Sequence, residues 1–303
     1  MNPVNKLIFI LNEHSRNGRT ALNDIKRYCL KNTVDYHIHL TEYSEHATAL
    51  AKLAGDALLE NERLVVVGGD GTLNEVVNAL EKHHIRVPIG YIPTGSGNDF
   101  ARSHKWMIGI EAILDEILSL GASKQLDIIK VKHEDGYFYA VNSFGAGIDG
   151  MVNYQLSKSK LKRLTGHAAY FISIIAAYFK QRTFSLNIES AETDKSYSNL
   201  LLVACVNHKF FGGGIPIHPT ADPTDSLLEI VLAEKVTFLE LLTLLFKVLT
   251  KQNHLSHKKM HAFRLPNAQL TFYSTQHGQK DGELLDIHGD YAISTIKRNF
   301  WMP

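Results

Sequence analysis

Three glycines and one aspartate stand together within residues 68–71, where their types and spacing suit phosphate chemistry. Glycine lets the backbone adopt positive φ, and it has no Cβ to keep an anion away from the amides. Free N–H groups at the start of a helix bind phosphate. Asp70 would repel a phosphate unless a cation lies between them, and a divalent metal carried by a nucleotide meets that need. The segment predicts a phosphate-binding turn, with a βα turn that serves only packing as the alternative.

The neighbouring residues predict the elements that hold this turn. Residues 64–67 are apolar and three of them are valines, which is typical of a strand buried on both faces. Thr72 and Glu75 predict a capping box at the start of a helix. An apolar face at helical spacing follows at Val76, Val77 and Leu80. The turn lacks the lysine of a Walker A loop and does not match the dinucleotide glycine pattern.

A second polar stretch, residues 93–102, follows the next predicted strand, residues 87–92. Two glycines separated by Ser96 allow close backbone approach, and Thr94 and Ser96 supply hydroxyl groups. Asn98 and Asp99 supply polar groups to the start of a helix. Because the carboxyl ends of parallel strands meet at one edge of a sheet, both loops are expected at that edge.

The first third of the chain alternates strands with helices. We predict strands at residues 6–11 and 34–40 and helices at residues 21–30 and 46–60. This alternation is typical of a doubly wound parallel sheet, an α/β fold. The loop 12–19 contains Arg16 and Arg19, which either help to hold phosphate or are simply solvated.

The bulk composition is that of an ordinary globular protein. The 303 residues are 45% hydrophobic and 21% charged, with a formal net charge of +1. Cys29 and Cys205 allow at most one disulfide and lack metal-ligand spacing, and the sixteen histidines form no convincing zinc set. The apolar segments 168–179 and 236–250 are shorter or more interrupted than the ~20 residues a span requires. We expect a cytoplasmic protein without a signal peptide, a membrane span or a nucleic-acid partner.

The pattern changes at about Asp127. Short runs rich in Val, Ile, Tyr and Phe, separated by turn residues, predict an all-β sandwich. The predicted strands are residues 126–131, 137–142, 184–189, 199–206, 227–232, 260–265, 270–273 and 284–288. Helices near residues 160–181 and 236–252 interrupt them.

Residues 68–75 together with 93–102 resemble the diacylglycerol kinase catalytic family, specifically its soluble bacterial lipid kinases. Sphingosine and ceramide kinases belong to the same group, and NAD kinases and phosphofructokinases share the Gly-Gly-Asp-Gly core. NAD kinases lack the second motif, so its presence favours a lipid hydroxyl as acceptor. Further similar stretches at residues 145–149 and 211–214 extend the resemblance over the whole chain.

The resemblance implies two domains with the active site in the cleft between them. Residues 1–126 form a Rossmann-like nucleotide domain of the NAD kinase and diacylglycerol kinase type, to which residues 291–303 return, and residues 127–290 form a β-sandwich acceptor domain. ATP and Mg²⁺ are the implied cofactors, with Asp70 facing the metal. The residues implied to bind the nucleotide are Asn12, Ser15, Arg16, Gly18, Thr41, Gly68, Gly69, Asp70, Gly71, Thr72, Leu73, Asn74, Thr94, Gly95, Ser96, Gly97 and Asn98.

Asp281 and Glu283 are the candidate catalytic carboxylates, since phosphoryl transfer to a hydroxyl needs a proton acceptor. If the segment is extended, both side chains point to the same face, with Gly282 leaving room between them. A hairpin turn at Asp-Gly is the alternative. The resemblance favours catalysis, because these kinases carry their catalytic acid in a matching Asp-Gly-Glu, and which carboxylate accepts the proton stays open.

Residues 219–229 are implied by the resemblance to bind a second, structural Mg²⁺. Asp225 is the expected ligand, helped by carbonyls around Asp222 and Leu227, and Asp99 and Asp127 are expected to link this metal to the nucleotide. Ser226 replaces the family's glycine, which puts the loop geometry in question. An acidic turn between two strands is the alternative.

The predicted function is ATP- and Mg²⁺-dependent transfer of the γ-phosphate to a lipid hydroxyl, from diacylglycerol to phosphatidic acid in phospholipid biosynthesis. Other acceptors are a sphingosine-like or ceramide-like lipid, phosphatidylglycerol or NAD, and a non-catalytic nucleotide-binding regulator is a further alternative. A lipid presented by a membrane surface would need an apolar slot near residues 145–150 and 210–214. The basic run at residues 158–163 either docks the protein peripherally on an anionic membrane or is simply solvated. The sequence leaves open whether the chain forms a homodimer.

Overall fold

The computed structural model describes residues 4–158 and 167–302. The chain forms two compact units, Met1–Leu126 with Lys297–Pro303 and Asp127–Ile296. Within the described ranges, no helix is long and apolar enough to cross a membrane. The predicted basic run, residues 158–163, falls almost wholly outside the described residues.

The first unit is built on a parallel sheet with strand order β2-β1-β3-β4. Its strands are β1 (Lys6–Leu11), β2 (Asp35–Leu40), β3 (Glu62–Gly68) and β4 (Ile89–Pro93). The helices between and after them are α1 (Gly18–Lys31), α2 (His46–Ala57), α3 (Asp70–Lys82), α4 (Asp99–Ser103) and α5 (Ile110–Ser119). Near the end of the chain Phe300 pairs with Ile89 and extends the sheet beyond β4.

The central strands of this sheet are buried on both faces, as their valine-rich sequence predicts. Val65, Val66 and Val67 are fully buried, and so are Phe9 and Ile10 of β1. Each such side chain contributes about 1.5–3 kcal/mol by leaving water. The loops that follow these strands therefore start from a rigid base.

Helix α3 begins three residues earlier than the capping box at Thr72 predicts. Its first residue is Asp70, with Gly69 at the N-cap position and no side-chain hydrogen bond to the cap. The predicted capping box of Thr72 and Glu75 is wrong, because Thr72 already lies inside the first turn. The Thr72 hydroxyl instead accepts a hydrogen bond from Asn12 Nδ2 at 3.2 Å.

The second unit is mostly antiparallel. Strands β9, β7 and β12 lie side by side, flanked by β10 and β11 beyond β9 and by β13 beyond β12, and β8 pairs with both β9 and β12. The strands are β5 (Lys124–His133), β6 (Gly136–Ala140), β7 (Ser143–Gly147), β8 (Phe184–Glu189), β9 (Asp194–Val206), β10 (Leu228–Glu234), β11 (Met260–Leu265), β12 (Asn267–Lys280) and β13 (Glu283–Phe300). The helices are α6 (Ile148–Lys158), α7 (His167–Lys180) and α8 (Phe238–Leu249).

Strand β7 is absent from the sequence prediction because two of its five residues are glycine. Gly145 explains why the strand tolerates them: a Cβ at this position would lie 2.6 Å from the carbonyl oxygen of Val203 on β9. Glycine lets the two backbones approach each other, at the expense of strand propensity.

Two apolar cores lie on opposite faces of the sheet in the second unit. Along β9, Val203 and Cys205 belong to one core, whereas Ala204 and Val206 belong to the other. This alternation is the period of two that a strand imposes on its side chains. The first core packs against other strands, and the second is covered by helices that include α8.

Candidate functional site

Three loops meet at the carboxyl edge of the parallel sheet in the first unit. They follow β1, β3 and β4, and hydrogen bonds join them. Thr94 N donates to Gly68 O at 2.8 Å, and Asn17 N donates to Thr94 O at 2.9 Å. The hydroxyl groups of Ser15 and Thr94 are 2.7 Å apart. Loops that follow β1 and β3 leave the sheet at the reversal of strand order, where α/β sheets bind ligands.

The two glycine motifs touch each other through their backbones. A Cβ on Gly95 would lie 2.6 Å from the Cα of Gly69, and a Cβ on Gly69 would lie 3.3 Å from the Cα of Gly95. Only glycine at position 95 permits this contact without moving a backbone. The motifs therefore form one surface, with the uncapped first turn of α3 beside it.

Gly95→Ala is expected to lower nucleotide affinity at least tenfold, because the added methyl group must push the β3 and β4 loops apart. Calorimetric titration with ATP and Mg²⁺ measures the effect. ATP affinity equal to that of the wild type would contradict the proposed role of this contact.

Asp70 has a structural partner that the sequence did not reveal. Its carboxylate accepts hydrogen bonds from the amides of Asp99 at 3.0 Å and Phe100 at 3.3 Å. Asp70 thus stabilises the start of α4, where a negative charge is favoured. A contact between Asp70 and the Mg²⁺ of a nucleotide stays a prediction.

A polar cavity of about 250 Å³ lies beside these loops in the first unit. It brings together Asn12, Thr41 and Thr72, three of the predicted nucleotide residues from three separate elements. The other lining residues are His14, Glu42, Tyr43, Ser44 and Glu75. Tyr43 stacks on His46 with ring centroids 4.3 Å apart, and nothing in the spacing of the sequence indicated that this aromatic side chain lines the cavity.

Other predicted nucleotide residues support the loops from within. Asn98 closes its loop by accepting from Gly95 N at 2.9 Å and donating to Gly95 O at 3.0 Å. Leu73 is fully buried, and Asn74 accepts a hydrogen bond from Asn78 within α3. Arg16, Ser96 and Gly97 lie at or near the surface, and Gly18 leaves room for the carbonyl of Asn12.

In the second unit, Asp281 and Gly282 form a tight turn between β12 and β13. Their φ angles are 47° and 88°, and the flanking residues Lys280 and Glu283 pair across the hairpin. The extended conformation considered for this segment is therefore wrong, and the hairpin alternative is right. Two consecutive residues at positive φ are typical of a type I′ turn, for which Asp-Gly is a favoured sequence.

The turn gives the two carboxylates different surroundings. The Asp281 carboxylate accepts hydrogen bonds from the amides of Val141 at 2.6 Å and of Asn142 and Ser143 at 2.8 Å. Glu283 has a side chain 46% exposed, and its Oε2 lies 3.0 Å from the ammonium group of Lys280. Asp281 thus anchors the turn to the segment before β7, whereas Glu283 is accessible to solutes.

Asp225, the expected ligand of a structural metal, is paired with a cationic side chain. Its Oδ2 contacts Arg264 Nη2, and its Oδ1 accepts from Leu227 N at 2.8 Å. Asp222 accepts hydrogen bonds from the amide and hydroxyl groups of Thr224. Ser226 adopts φ 64°, so the serine takes the left-handed conformation that the family's glycine suggested.

Asp127 supports the same loop from β5. Its Oδ2 accepts from Ser226 N at 2.8 Å, and its amide donates to Pro223 O at 2.6 Å. No group of three His, Cys, Asp or Glu side chains suited to a metal ion occurs among the described residues. The loop around Asp225 suits the Arg264 guanidinium rather than Mg²⁺, because a metal ion bound to Asp225 would have to displace that guanidinium.

A mostly apolar cavity of about 110 Å³ lies in the second core of this unit. Ile148 and Phe211 line it, from the two regions where the sequence predicts a lipid slot, and Asp149 is one of its few polar residues. Asp149 Oδ2 accepts a hydrogen bond from Gln279 at 2.6 Å. Burial raises the pKa of Asp149 to about 7, although the hydrogen bond acts in the opposite direction.

Asp149→Asn is expected to remove a pH-dependent loss of stability. Because the pKa is raised on folding, Asp149 stabilises the fold below about pH 4 and loses that contribution as the pH rises through 7. Between about pH 5 and pH 8 the variant should therefore lose roughly 3 kcal/mol less unfolding free energy than the wild type. Urea denaturation at both pH values tests this, and parallel pH profiles would contradict it.

Comparisons with known proteins agree with this architecture. A family model described as the diacylglycerol kinase catalytic domain matches residues 6–131, and one described as the YegS C-terminal NAD kinase beta sandwich-like domain matches residues 142–290. They confirm the predicted resemblance and fold class, an α/β nucleotide domain followed by a β-sandwich.

Individual relatives match over most of the chain. YtlR of Bacillus subtilis, whose provisional name describes a lipid kinase, is 28% identical over 291 residues, which cover 91% of this chain and 93% of YtlR. A diacylglycerol kinase of Staphylococcus carnosus is 30% identical over 251 residues, or 80% of this chain and 78% of that protein. A crystal structure of a diacylglycerol kinase from Bacillus anthracis has the same fold, with a TM-score of 0.69 and 20% identity over 99% of this chain and 97% of that one.

Proposed function

This chain belongs to the diacylglycerol kinase family of lipid kinases, and we propose that it transfers the γ-phosphate of ATP, bound with Mg²⁺, to the free hydroxyl of diacylglycerol. The hydroxyl oxygen forms a bond to the γ-phosphorus while the bond between that phosphorus and the leaving ADP oxygen breaks. The hydroxyl proton passes to a carboxylate of the enzyme, and the product is phosphatidic acid.

The backbone contact between Gly69 and Gly95 is the observation that carries the nucleotide part of the proposal. It joins two glycine loops and the amides at the start of α3 into one surface that can approach phosphate closely. Mg²⁺ arrives with ATP and offsets the charge of Asp70 and of the phosphates. The cavity lined by Asn12, Thr41 and Thr72 is proposed to receive the rest of the nucleotide.

Glu283 is proposed to accept the proton. Its carboxylate is accessible, whereas the oxygens of Asp281 already accept three amide hydrogen bonds. A proton acceptor needs a free lone pair within hydrogen-bond reach of the substrate hydroxyl. Asp281 is proposed to hold the turn, and therefore Glu283, in place. The predicted location of the reaction, in a cleft between the two domains, stays a prediction.

The apolar cavity of the second unit is proposed to receive the first part of an acyl chain. Its lining is almost wholly apolar, and a dry cavity of similar size binds small apolar molecules. Asp149 lies among these residues, and burial raises its pKa to about 7. When protonated it can donate a hydrogen bond to a glycerol oxygen, and when ionised it can accept one from a glycerol hydroxyl group. The lipid would be presented by a membrane to which the enzyme binds peripherally from the cytoplasm.

The structural Mg²⁺ expected at residues 219–229 takes no part in the proposed reaction. Asp225, Asp222 and Leu227 stay the predicted ligands of such an ion, and Asp99 and Asp127 stay the predicted link between it and the nucleotide. The pairing of Asp225 with Arg264 argues that the guanidinium supplies the positive charge at this position.

A transfer assay with radiolabelled ATP tests the function. The acceptors are diacylglycerol, sphingosine, ceramide and phosphatidylglycerol in detergent micelles, and NAD in solution. We expect Mg²⁺-dependent labelling of diacylglycerol, and Gly95→Ala as a control should reduce it. Preferred labelling of NAD or of another lipid would overturn the choice of acceptor, and absence of all transfer would favour a regulator.

A further inference from the structure

Helix α8 exposes a continuous row of large apolar side chains. Leu239 is 75% and Phe246 is 61% exposed, and Leu242 and Leu249 are also exposed. Their spacing of three and four residues places them along one side of the helix. Phe179, at the end of α7, extends the row, because its ring centroid lies 5.3 Å from that of Phe238. We call these six residues the α8 face: Phe179, Phe238, Leu239, Leu242, Phe246 and Leu249.

The opposite side of α8 is also apolar. Leu241, Leu244 and Val248 are buried and line the cavity described above. A helix that is apolar nearly all round is normally covered on both sides. In this chain one side covers the cavity while the other faces solvent, and a contiguous exposed patch of this kind marks an interaction surface.

The helix is well formed without a partner. Thr237 and Glu240 make a complete capping box at its start, in which Glu240 N donates to Thr237 Oγ1 at 3.3 Å and Thr237 N donates to Glu240 Oε2 at 2.7 Å. The α8 face is therefore presented as a preformed surface, and binding would not have to repay the entropy of folding the helix.

The charges around α8 favour an anionic partner. Residues 233–259 contain five lysines and two glutamates. Both glutamates have cationic or protonatable partners: Glu240 lies 3.5 Å from Lys259, and Glu234 lies 2.7 Å from His261. The segment thus keeps an excess of positive charge beside its apolar face, the combination found in helices that lie in the interface of anionic bilayers.

We propose that the α8 face inserts among the acyl chains of an anionic bilayer, with α8 lying in the plane of the interface and its lysines near lipid headgroups. The choice of a bilayer rests on the proposed function, since the acceptor there is a membrane lipid. The same helix would then touch the bilayer with one side and the acyl cavity with the other. A lipid leaving the bilayer would have a short apolar path to that cavity.

Sedimentation with vesicles tests the surface without any catalysis. The probe is vesicles of phosphatidylcholine and phosphatidylglycerol, without diacylglycerol or ATP. We call the double substitution Leu239→Gln and Phe246→Gln the α8 variant. It should bind these vesicles about 100-fold more weakly than wild type, since each large apolar side chain that enters the bilayer contributes about a tenfold factor in affinity. Wild-type binding should also weaken with added salt and in vesicles of phosphatidylcholine alone.

The matched control is Leu30→Gln with Leu53→Gln. These leucines are 74% and 60% exposed on α1 and α2, so the control removes similar apolar surface elsewhere. It should bind vesicles like wild type, and thermal unfolding should show that both double variants are folded. Equal binding by the two variants, or no binding by wild type, would overturn the proposal. So would a dimer in analytical ultracentrifugation that the α8 variant dissociates while its vesicle binding stays unchanged.

Kinase assays separate this proposal from the function itself. The α8 variant should phosphorylate a short-chain diacylglycerol in solution at the wild-type rate, yet lose at least tenfold on diacylglycerol embedded in vesicles. If wild type binds vesicles but phosphorylates no lipid, the proposed function is wrong and membrane binding by the α8 face is still supported. If transfer occurs and the α8 variant matches wild type on both soluble and vesicle-embedded diacylglycerol, membrane binding by the α8 face is wrong and the proposed function is still supported.

Discussion

Glu283→Gln is expected to lower the rate of γ-phosphate transfer by roughly two to four orders of magnitude, the usual contribution of a positioned general base. Glutamine keeps the size and the hydrogen-bonding atoms of the side chain but cannot accept the proton of the acceptor hydroxyl. Because Glu283 is half-exposed and its ion pair with Lys280 is at the surface, the unfolding free energy should change by less than about 0.5 kcal/mol. Steady-state kinetics with diacylglycerol micelles and urea denaturation measure the two quantities.

Asp286→Asn is the matched control for this variant. Asp286 is another exposed carboxylate of β13 and lies 3.1 Å from His277, so its removal also breaks a surface pair. It should leave the rate of transfer unchanged. If Glu283→Gln kept the wild-type rate while ATP binding stayed intact, the assignment of Glu283 as proton acceptor would be wrong.

Asp281→Ala is expected to destabilise the second unit by roughly 4 kcal/mol or more, since three amides lose an ionised acceptor and hydrogen bonds to charged groups contribute about 1.5–3 kcal/mol each. Alanine is also disfavoured at φ 47°. Transfer activity should fall together with stability, because the β12–β13 turn that carries Glu283 is no longer held. Urea denaturation at constant temperature is the primary measurement.

Asp281→Asn separates the roles of charge and anchor. Asparagine tolerates positive φ and retains one acceptor oxygen, so the loss of stability should be about half that of alanine. If Asp281 only positions the turn, the folded Asn variant should keep most of its kcat, in contrast to Glu283→Gln. A folded Asn variant that lost as much kcat as Glu283→Gln would mean that Asp281 is the proton acceptor, and an Ala variant as stable as wild type would refute the anchoring role.

The sequence by itself determined the features that depend on neighbouring residues. Hydrophobic runs and glycine turns predicted the parallel α/β region, and β1 has the predicted bounds, Lys6–Leu11. The short strands after Asp127 predicted the β-sandwich, and two motifs of about ten residues were enough to indicate the family. Local patterns carry this information because backbone propensity and side-chain period act over a few residues.

Only the tertiary structure decided which atoms meet. Helix α3 starts at Asp70, and the Thr72 hydroxyl, inside its first turn, accepts a hydrogen bond from Asn12, 60 residues away. The two carboxylates of the Asp-Gly-Glu segment separated because Asp281 binds amides about 140 residues before it. Such contacts depend on the packing of distant strands, which leaves no periodic signal in the sequence. The α8 face shows the same limit: the sequence marks residues 236–250 as apolar, and only burial distinguishes the side that fills a core from the side left open.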